Sequence, residues 1–314
     1  MALDSASQQF IAVLAAAGSP PIHESTPAIA RMSGPIFAGM SGAGPDVAEV
    51  DNFRLTADDG TTFRMRVLKP EGEIKSVIVY LHGGGWVIGD IDLQYDHLAR
   101  VLANATSSAV VLVNYRKAPE HRFPAAIDDA YQGLQWAAEH LEEIAGRPVP
   151  LIVAGDSAGG NLSAALTLRA RESGPTIDFQ VLVYPVTDAD FDRPSYVAEE
   201  NQLLLARPTM QWFWNHYLPD PAERRVPDAT PLSADSLAGL PPAFVLLAEH
   251  DVLHDEGREY AEALQSAGVP TEVEVAEGQM HAFFQMIGVL PGSQAGIDRV
   301  AEKINQRIAA LAKE

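Results

Sequence analysis

The chain contains no cysteine, which excludes disulfides, thiolate nucleophiles and cysteine-ligated metal sites together. Any covalent chemistry must use another side chain. It also lacks an unbroken apolar run of the roughly eighteen residues that a membrane-spanning helix needs, so no membrane span is expected. Basic residues are scarce: 22 Lys and Arg stand against 42 Asp and Glu, a formal charge of −20. That field repels nucleic acid and anionic membranes and argues against a polyanionic substrate. The acidic residues are scattered, as on a solubilising surface, and imply no function by themselves. The alanine-rich start MALDSASQQFIAVLAAAG holds no Lys or Arg, and Asp4 interrupts it. A secretory signal is therefore not expected, and the cytoplasm is the expected location. Leu3, Phe10, Val13 and Leu14 instead fall at helical spacing and predict a short amphipathic helix.

What is present suits a globular protein. The 314 residues are 47% hydrophobic and 20% charged, enough for one α/β domain with insertions. Residues 18–46, rich in Gly, Pro and Ser, read as a linker. VDNFRLTA and TTFRMRVLKP, separated by Asp-Asp-Gly at 58–60, predict a β-hairpin. From IKSVIVYLHG onward, β-branched apolar runs alternate with helical stretches, the pattern of a mostly parallel sheet covered on both faces. The alternation lapses over 187–235, which holds WFWNHY and no clear strand. An insertion this long is expected to be helical and to form a cap with the N-terminal segment. The expected organisation is thus 1–46 as cap segment and linker, 47–186 with 236–314 as the α/β core, and 187–235 as the cap insertion.

The stretch IVAGDSAGGNL, residues 152–162, carries the first chemical signal. A lone G-x-S-x-G is weak, but here a buried-strand pattern precedes it and a helix pattern follows. Ser157 therefore sits at a strand-to-helix corner on the C-terminal edge of the sheet, where open α/β sheets bind ligands, with the Ala158 amide facing an incoming oxygen. A serine hydroxyl needs a base. In this setting the partners follow in the order Ser, acid, His. His23, His82, His97, His121 and His140 precede Ser157, and His216 lies in the insertion. His250 and His254 are too near any strand-end acid to face it across a serine, which leaves His281 in GQMHAF. Asp251 follows the strand PAFVLLAEH directly and is the preferred acid, with Asp255 the alternative and Glu249 third. HGGGW at 82–86 follows another strand and offers backbone amides to an oxyanion. It has neither the G-x-G-x-x-G nor the GK[ST] ending of a phosphate loop.

HGGGW, VNYRKAPEHRFPAAIDD, GDSAGGNL, DVLHDEG and HAF, in this order, resemble the hormone-sensitive lipase-like esterases of the α/β-hydrolase fold. The resemblance implies an eight-stranded, mostly parallel sheet flanked by helices, with a helical cap. It also implies Ser157 as nucleophile, His281 as base, Asp251 as its orienter, and an oxyanion hole from the amides of Gly83, Gly84 and Ala158. The implied reaction is cofactor-free hydrolysis of short- to medium-chain acyl esters, and the implied assembly is a homodimer through the last strand and helix. Two departures stand out: Asp251-Val252-Leu253 where the family often has D-P-L, and His281-Ala282-Phe283 where it often has H-G-F. Non-hydrolytic relatives, a small-molecule receptor or a dehydratase, are the alternative; the receptors lack the histidine that is present here as His281.

Trp86, beside the glycines, is a candidate to line the substrate pocket; Trp212 and Trp214 are candidates as well, with core packing within the cap expected at least as much for both. Tyr115, Arg116, Glu120 and His121 read as braces of the neighbouring loop, His82 as an anchor of the glycine loop, and Asp156 as a support for nearby backbone. No metal is expected, because no histidine pair has ligand spacing.

Overall fold

The computed structural model describes residues 2–18 and 20–313. Its eight strands are β1 (Glu49–Thr56), β2 (Thr62–Lys69), β3 (Ser76–Leu81), β4 (Ser108–Asn114), β5 (Leu151–Asp156), β6 (Phe179–Val183), β7 (Ala243–His250) and β8 (Thr271–Met280). They form one sheet in the order β1-β2-β4-β3-β5-β6-β7-β8. β2 runs antiparallel to β1 and β4, and every other pairing is parallel. The β1–β2 hairpin closes through Asp58-Asp59-Gly60, with Gly60 at φ 82°, as the Asp-Gly signal predicts.

β3, β5 and β6 are buried at every position, which is what predominantly apolar strands require of a parallel sheet covered on both faces. Alternate residues serve opposite faces. Val77, Val79 and Leu81 join a core beneath the helices Ala125–Glu139 and Ala158–Ser173, while Ile78 and Tyr80 join one beneath Gln94–Thr106 and Pro291–Leu311. In the helix Ala125–Glu139 the buried residues Ile127, Ala130, Leu134 and Ala137 recur every three to four positions, an amphipathic stripe laid on the sheet.

Residues 18–46 are not a plain linker. They contain the short helices Ile22–Glu24, Pro27–Ala30 and Ser33–Ser41. Thr26 caps the second by accepting the Ile29 amide, and Pro27 and Pro35 stand in first turns, where proline's missing N–H costs nothing. Arg31 ties this segment to the body, donating to the carbonyls of Val87 (2.9 Å) and Ala118 (2.8 Å) and pairing with Glu120. The 187–235 stretch folds as the helices Pro194–Val197 and Arg207–Tyr217 with three 3-10 turns. His23 Nδ1 lies 3.0 Å from Thr209 Oγ1 and brings the N-terminal segment against it. β8 runs to Met280, so His281 follows the strand immediately, and the last helix spans Pro291–Leu311. Among the described residues no helix is long and apolar enough to cross a membrane.

Candidate active site

Ser157 occupies the corner between β5 and the helix Ala158–Ser173 with φ 56° and ψ −119°. For a residue with a side chain this backbone costs on the order of 1–3 kcal/mol. The surroundings hold it there: its amide donates to Val183 O at 2.9 Å, and its carbonyl accepts from Val186 at 3.2 Å. The glycine two residues on is required by close approach. A Cβ on Gly159 would stand 1.9 Å from the Leu81 carbonyl oxygen, so any side chain there would push the helix off β3.

His281 Nε2 lies 3.1 Å from Ser157 Oγ, and His281 Nδ1 lies 2.7 Å from Asp251 Oδ2. Asp251 is wholly buried, and its other oxygen accepts the Leu253 amide at 2.9 Å. With Nδ1–H donating to the carboxylate, Nε2 is the acceptor that faces the serine hydroxyl. The Tyr184 ring backs the imidazole at 4.6 Å. The two alternative acids go elsewhere. Asp255 Oδ2 accepts the Ser195 amide at 2.7 Å, at the foot of the insertion, and Glu249 Oε2 accepts the Gly278 amide at 2.6 Å. His254 Nδ1 bonds to Ala248 O at 2.8 Å, and His216 packs edge-on against Trp212.

The glycine loop differs from expectation by one residue. The Gly83 amide donates to Tyr95 Oη at 2.9 Å and Asp156 Oδ1 at 3.1 Å. It is therefore taken up by the protein and not free for a substrate oxygen. Among the described residues no protein acceptor meets the amides of Gly84, Gly85 or Ala158. Gly84 and Gly85 of the loop, with Ala158 at the helix start, are the amides left available, Gly85 standing in place of Gly83. His82 anchors the loop, its Nδ1 2.7 Å from Gly83 O and its ring stacked on Tyr115 at 4.3 Å. Burial, with Lys117 nearby, pushes the His82 pKa down to about 3, so the ring is neutral and its proton sits on Nδ1. Tyr115 Oη–H donates to His82 O at 2.7 Å, and Arg116 grips the buried Asp129.

Trp86 does not line a pocket. It is wholly buried, stacked on Tyr217 at 4.3 Å and 8° and packed against Trp214 at 4.8 Å. It joins the sheet to the insertion as core. Trp212 stays partly exposed and meets Phe213 edge-on at 5.2 Å. Phe213, which the sequence did not single out, lies on the glycine loop: a Cβ on Gly85 would come within 2.2 Å of its ring. Asn201 was also not foreseen; its Nδ2 donates to the Asp251 carbonyl at 3.2 Å and ties the insertion to the acid loop. Neither residue belongs to a motif, and only the folded insertion brings them to the site. Among the described residues no group of three or more His, Asp or Glu side chains could hold a metal ion.

The chain is also similar to known proteins over most of its length. Residues 78–285 match the family described as having an alpha/beta hydrolase fold. The chain is similar to carboxylesterase NlhH of Mycobacterium tuberculosis, at 41% identity over 240 residues, covering 75% of this chain and 72% of that protein. It is 36% identical over 265 residues to the ethyl acetate hydrolase of Pseudomonas putida, covering 82% and 83%. Among solved structures it resembles an ester hydrolase from the metagenome of Lake Arreo, complexed with a bipyridine phosphonate derivative. That likeness has a TM-score of 0.92 and 34% identity and covers 98% of this chain and 99% of that one. A strained serine corner, a histidine within reach of it and a likeness that extends over nearly the whole chain lead to one placement: the chain belongs to the α/β-hydrolase family, in its hormone-sensitive lipase-like branch.

Proposed function

We propose that this protein is a cofactor-independent serine carboxylesterase. The observation that carries the reading is the relay from Ser157 Oγ through His281 to the buried Asp251, at 3.1 and 2.7 Å. Ser157 Oγ attacks the ester carbonyl carbon while His281 Nε2 takes the hydroxyl proton. The carbonyl oxygen becomes an oxyanion, received by the amides of Gly84, Gly85 and Ala158. Asp251 stabilises the imidazolium. Collapse of the intermediate breaks the ester C–O bond, His281 returns the proton to the leaving alcohol, and the acyl group stays on Ser157. Water, deprotonated by His281, then attacks the acyl-enzyme and releases the acid.

Short- to medium-chain acyl esters are the proposed substrates. Two facts support small ones: Ser157 and His281 are only 6% and 7% exposed, and a relative is named for ethyl acetate. Residues 1–46 and 187–235 are the proposed cap, supported by the His23–Thr209 contact and by the hold of Asp255 on Ser195. The cytoplasm is the proposed location. A homodimer through β8 and the helix Pro291–Leu311 is the proposed assembly.

Turnover of p-nitrophenyl acetate tests the reading. Ser157→Ala should lower kcat by about 10⁵- to 10⁶-fold, on the scale of serine-triad knockouts, with an unchanged melting curve. Near-normal hydrolysis by the purified variant would refute it. A series of p-nitrophenyl esters of rising acyl length then reads out the chain-length limit.

A further inference from the structure

We propose that Asp156 is a positioning residue of the reaction: its carboxylate locks the glycine loop to the nucleophile corner and so aims the amides that receive the oxyanion. The proposal rests on the carboxylesterase reading above. Asp156 directly precedes Ser157 and is wholly buried. A carboxylate out of water needs donors to offset its lost hydration, and it has three. Its Oδ1 accepts from Tyr80 Oη at 2.9 Å and from the Gly83 amide at 3.1 Å, and its Oδ2 accepts from Tyr95 Oη at 3.0 Å. Tyr95 Oη in turn accepts the other share of the Gly83 N–H at 2.9 Å. The residue beside the nucleophile thus grips the first glycine of the oxyanion loop, with two tyrosines from β3 and the helix Gln94–Thr106 closing the grip.

This arrangement gives HGGGW a division of labour. A Cβ on Gly83 would lie 2.4 Å from Asp156 Oδ2 and 3.0 Å from Tyr95 Oη, so the first glycine is required by the clamp and not by the substrate. The carbonyl of Gly83 and the amide of Gly84 share one rigid peptide plane. Asp156 holds the Gly83 amide on one side of that plane, and His82 Nδ1 holds the Gly83 carbonyl at 2.7 Å on the other. Fixing both leaves one direction for the Gly84 N–H. Oxyanion donors act only when preplaced at hydrogen-bond distance from where charge develops, and a displacement of about 1 Å costs on the order of 100-fold in rate. Asp156 does not touch the substrate; it acts through Gly83, so its loss should appear in kcat and not in KM.

The test uses the full chain with Asp156→Ala, Asp156→Asn and Tyr95→Phe. Two quantities are read: kcat and KM for p-nitrophenyl acetate, and the rate of inactivation by a p-nitrophenyl phosphonate, whose tetrahedral adduct needs the same oxyanion donors. Melting curves establish that each variant is folded. Asp156→Ala should lose about 10- to 100-fold in kcat with KM within about twofold, and phosphonate inactivation should slow by the same factor. Asp156→Asn, whose amide oxygen can still accept the Gly83 N–H, should recover most of the loss. Tyr95→Phe keeps the ring and removes one hydrogen bond, so about a three- to tenfold fall in kcat is expected. If Asp156→Ala does not fold, Tyr95→Phe decides by the same split. Folded variants with wild-type kcat, a loss confined to KM, or no rescue by asparagine would each overturn the proposal. Wild-type protein that the phosphonate does not label on Ser157 would instead overturn the carboxylesterase reading itself, whereas labelling of wild type and Asp156→Ala at equal rates would overturn only the role of Asp156.

Discussion

Ser157, Asp251 and His281 differ in how far sequence could carry them. Chain order and strand ends left one histidine, and the structure brings that histidine to within 3.1 Å of the serine hydroxyl. Between Asp251 and Asp255 the sequence had only position after a strand to go on, and the two carboxylates now have distinct partners. Asp251→Asn should lower kcat by about 10⁴-fold, because an amide facing Nδ1 favours the wrong imidazole tautomer. Asp255→Ala, which removes the acceptor of the Ser195 amide, should instead cost about 1.5–3 kcal/mol of stability, the worth of a hydrogen bond to a charged group, with kcat largely kept. Steady-state kinetics and denaturant unfolding on the two variants check the pair. Ala282 offers a second contrast. It stands at φ 70°, a conformation costing a side chain about 1–2 kcal/mol. Glycine relieves that strain but gains about 0.4–1 kcal/mol of freedom in the unfolded chain. Ala282→Gly should therefore melt at or slightly above the wild-type temperature, in contrast to the usual loss when alanine is replaced by glycine.

At the scale of elements, legibility followed the strength of the local signal. SVIVYL, LIVAGD and FQVLV are short runs dominated by β-branched and other apolar residues, so β3, β5 and β6 are readable without a structure. Residues 18–46 were not, because glycine, proline and serine dominate the composition and hide short helices held by one Thr26 cap and by Arg31. The uptake of the Gly83 amide by the protein is not legible in the sequence for a related reason. Three consecutive glycines look alike in sequence, and only the buried carboxylate of Asp156, which claims the Gly83 amide, tells them apart. Another buried acid joins two elements. Glu256, in the first turn of the helix His254–Ser266, accepts the Thr187 amide at 2.7 Å, while its own carbonyl accepts the Thr187 hydroxyl at 2.8 Å. Burial, only partly offset by the Thr187 amide, pushes its pKa up from 4.5 to about 8. The native state therefore holds a proton that the unfolded chain releases between those values. The stabilisation is full below pH 4.5 and is lost as pH rises through 8. Glu256→Gln should flatten the fall of melting temperature between about pH 5 and 8, which calorimetry across that range would detect; an unchanged slope would contradict it.

The whole molecule carries a formal charge of −20, which opposes self-association unless the contact surface is locally neutral. β8 ends the sheet with one side unpaired, and Glu272 and Glu274 upon it are already matched by Lys303 and Arg299 of the last helix. Matching two of the three β8 glutamates lowers the charge along that edge, which supports the proposed pairing of two chains there. Light scattering should give about twice the 33.7 kDa of one chain, and Val273→Pro, which removes a strand N–H at the edge, should return the monomer. A monomeric wild type would refute the dimer while leaving the chemistry untouched. The chemistry turns on a single covalent event, and the most direct measurement is to identify the atom that carries it. After complete inactivation by a p-nitrophenyl phosphonate, peptide mapping by mass spectrometry should find one phosphonyl group per chain, on the peptide containing Ser157. Inactivation with the label on any other residue, or hydrolysis that continues in protein fully labelled at Ser157, would contradict the account.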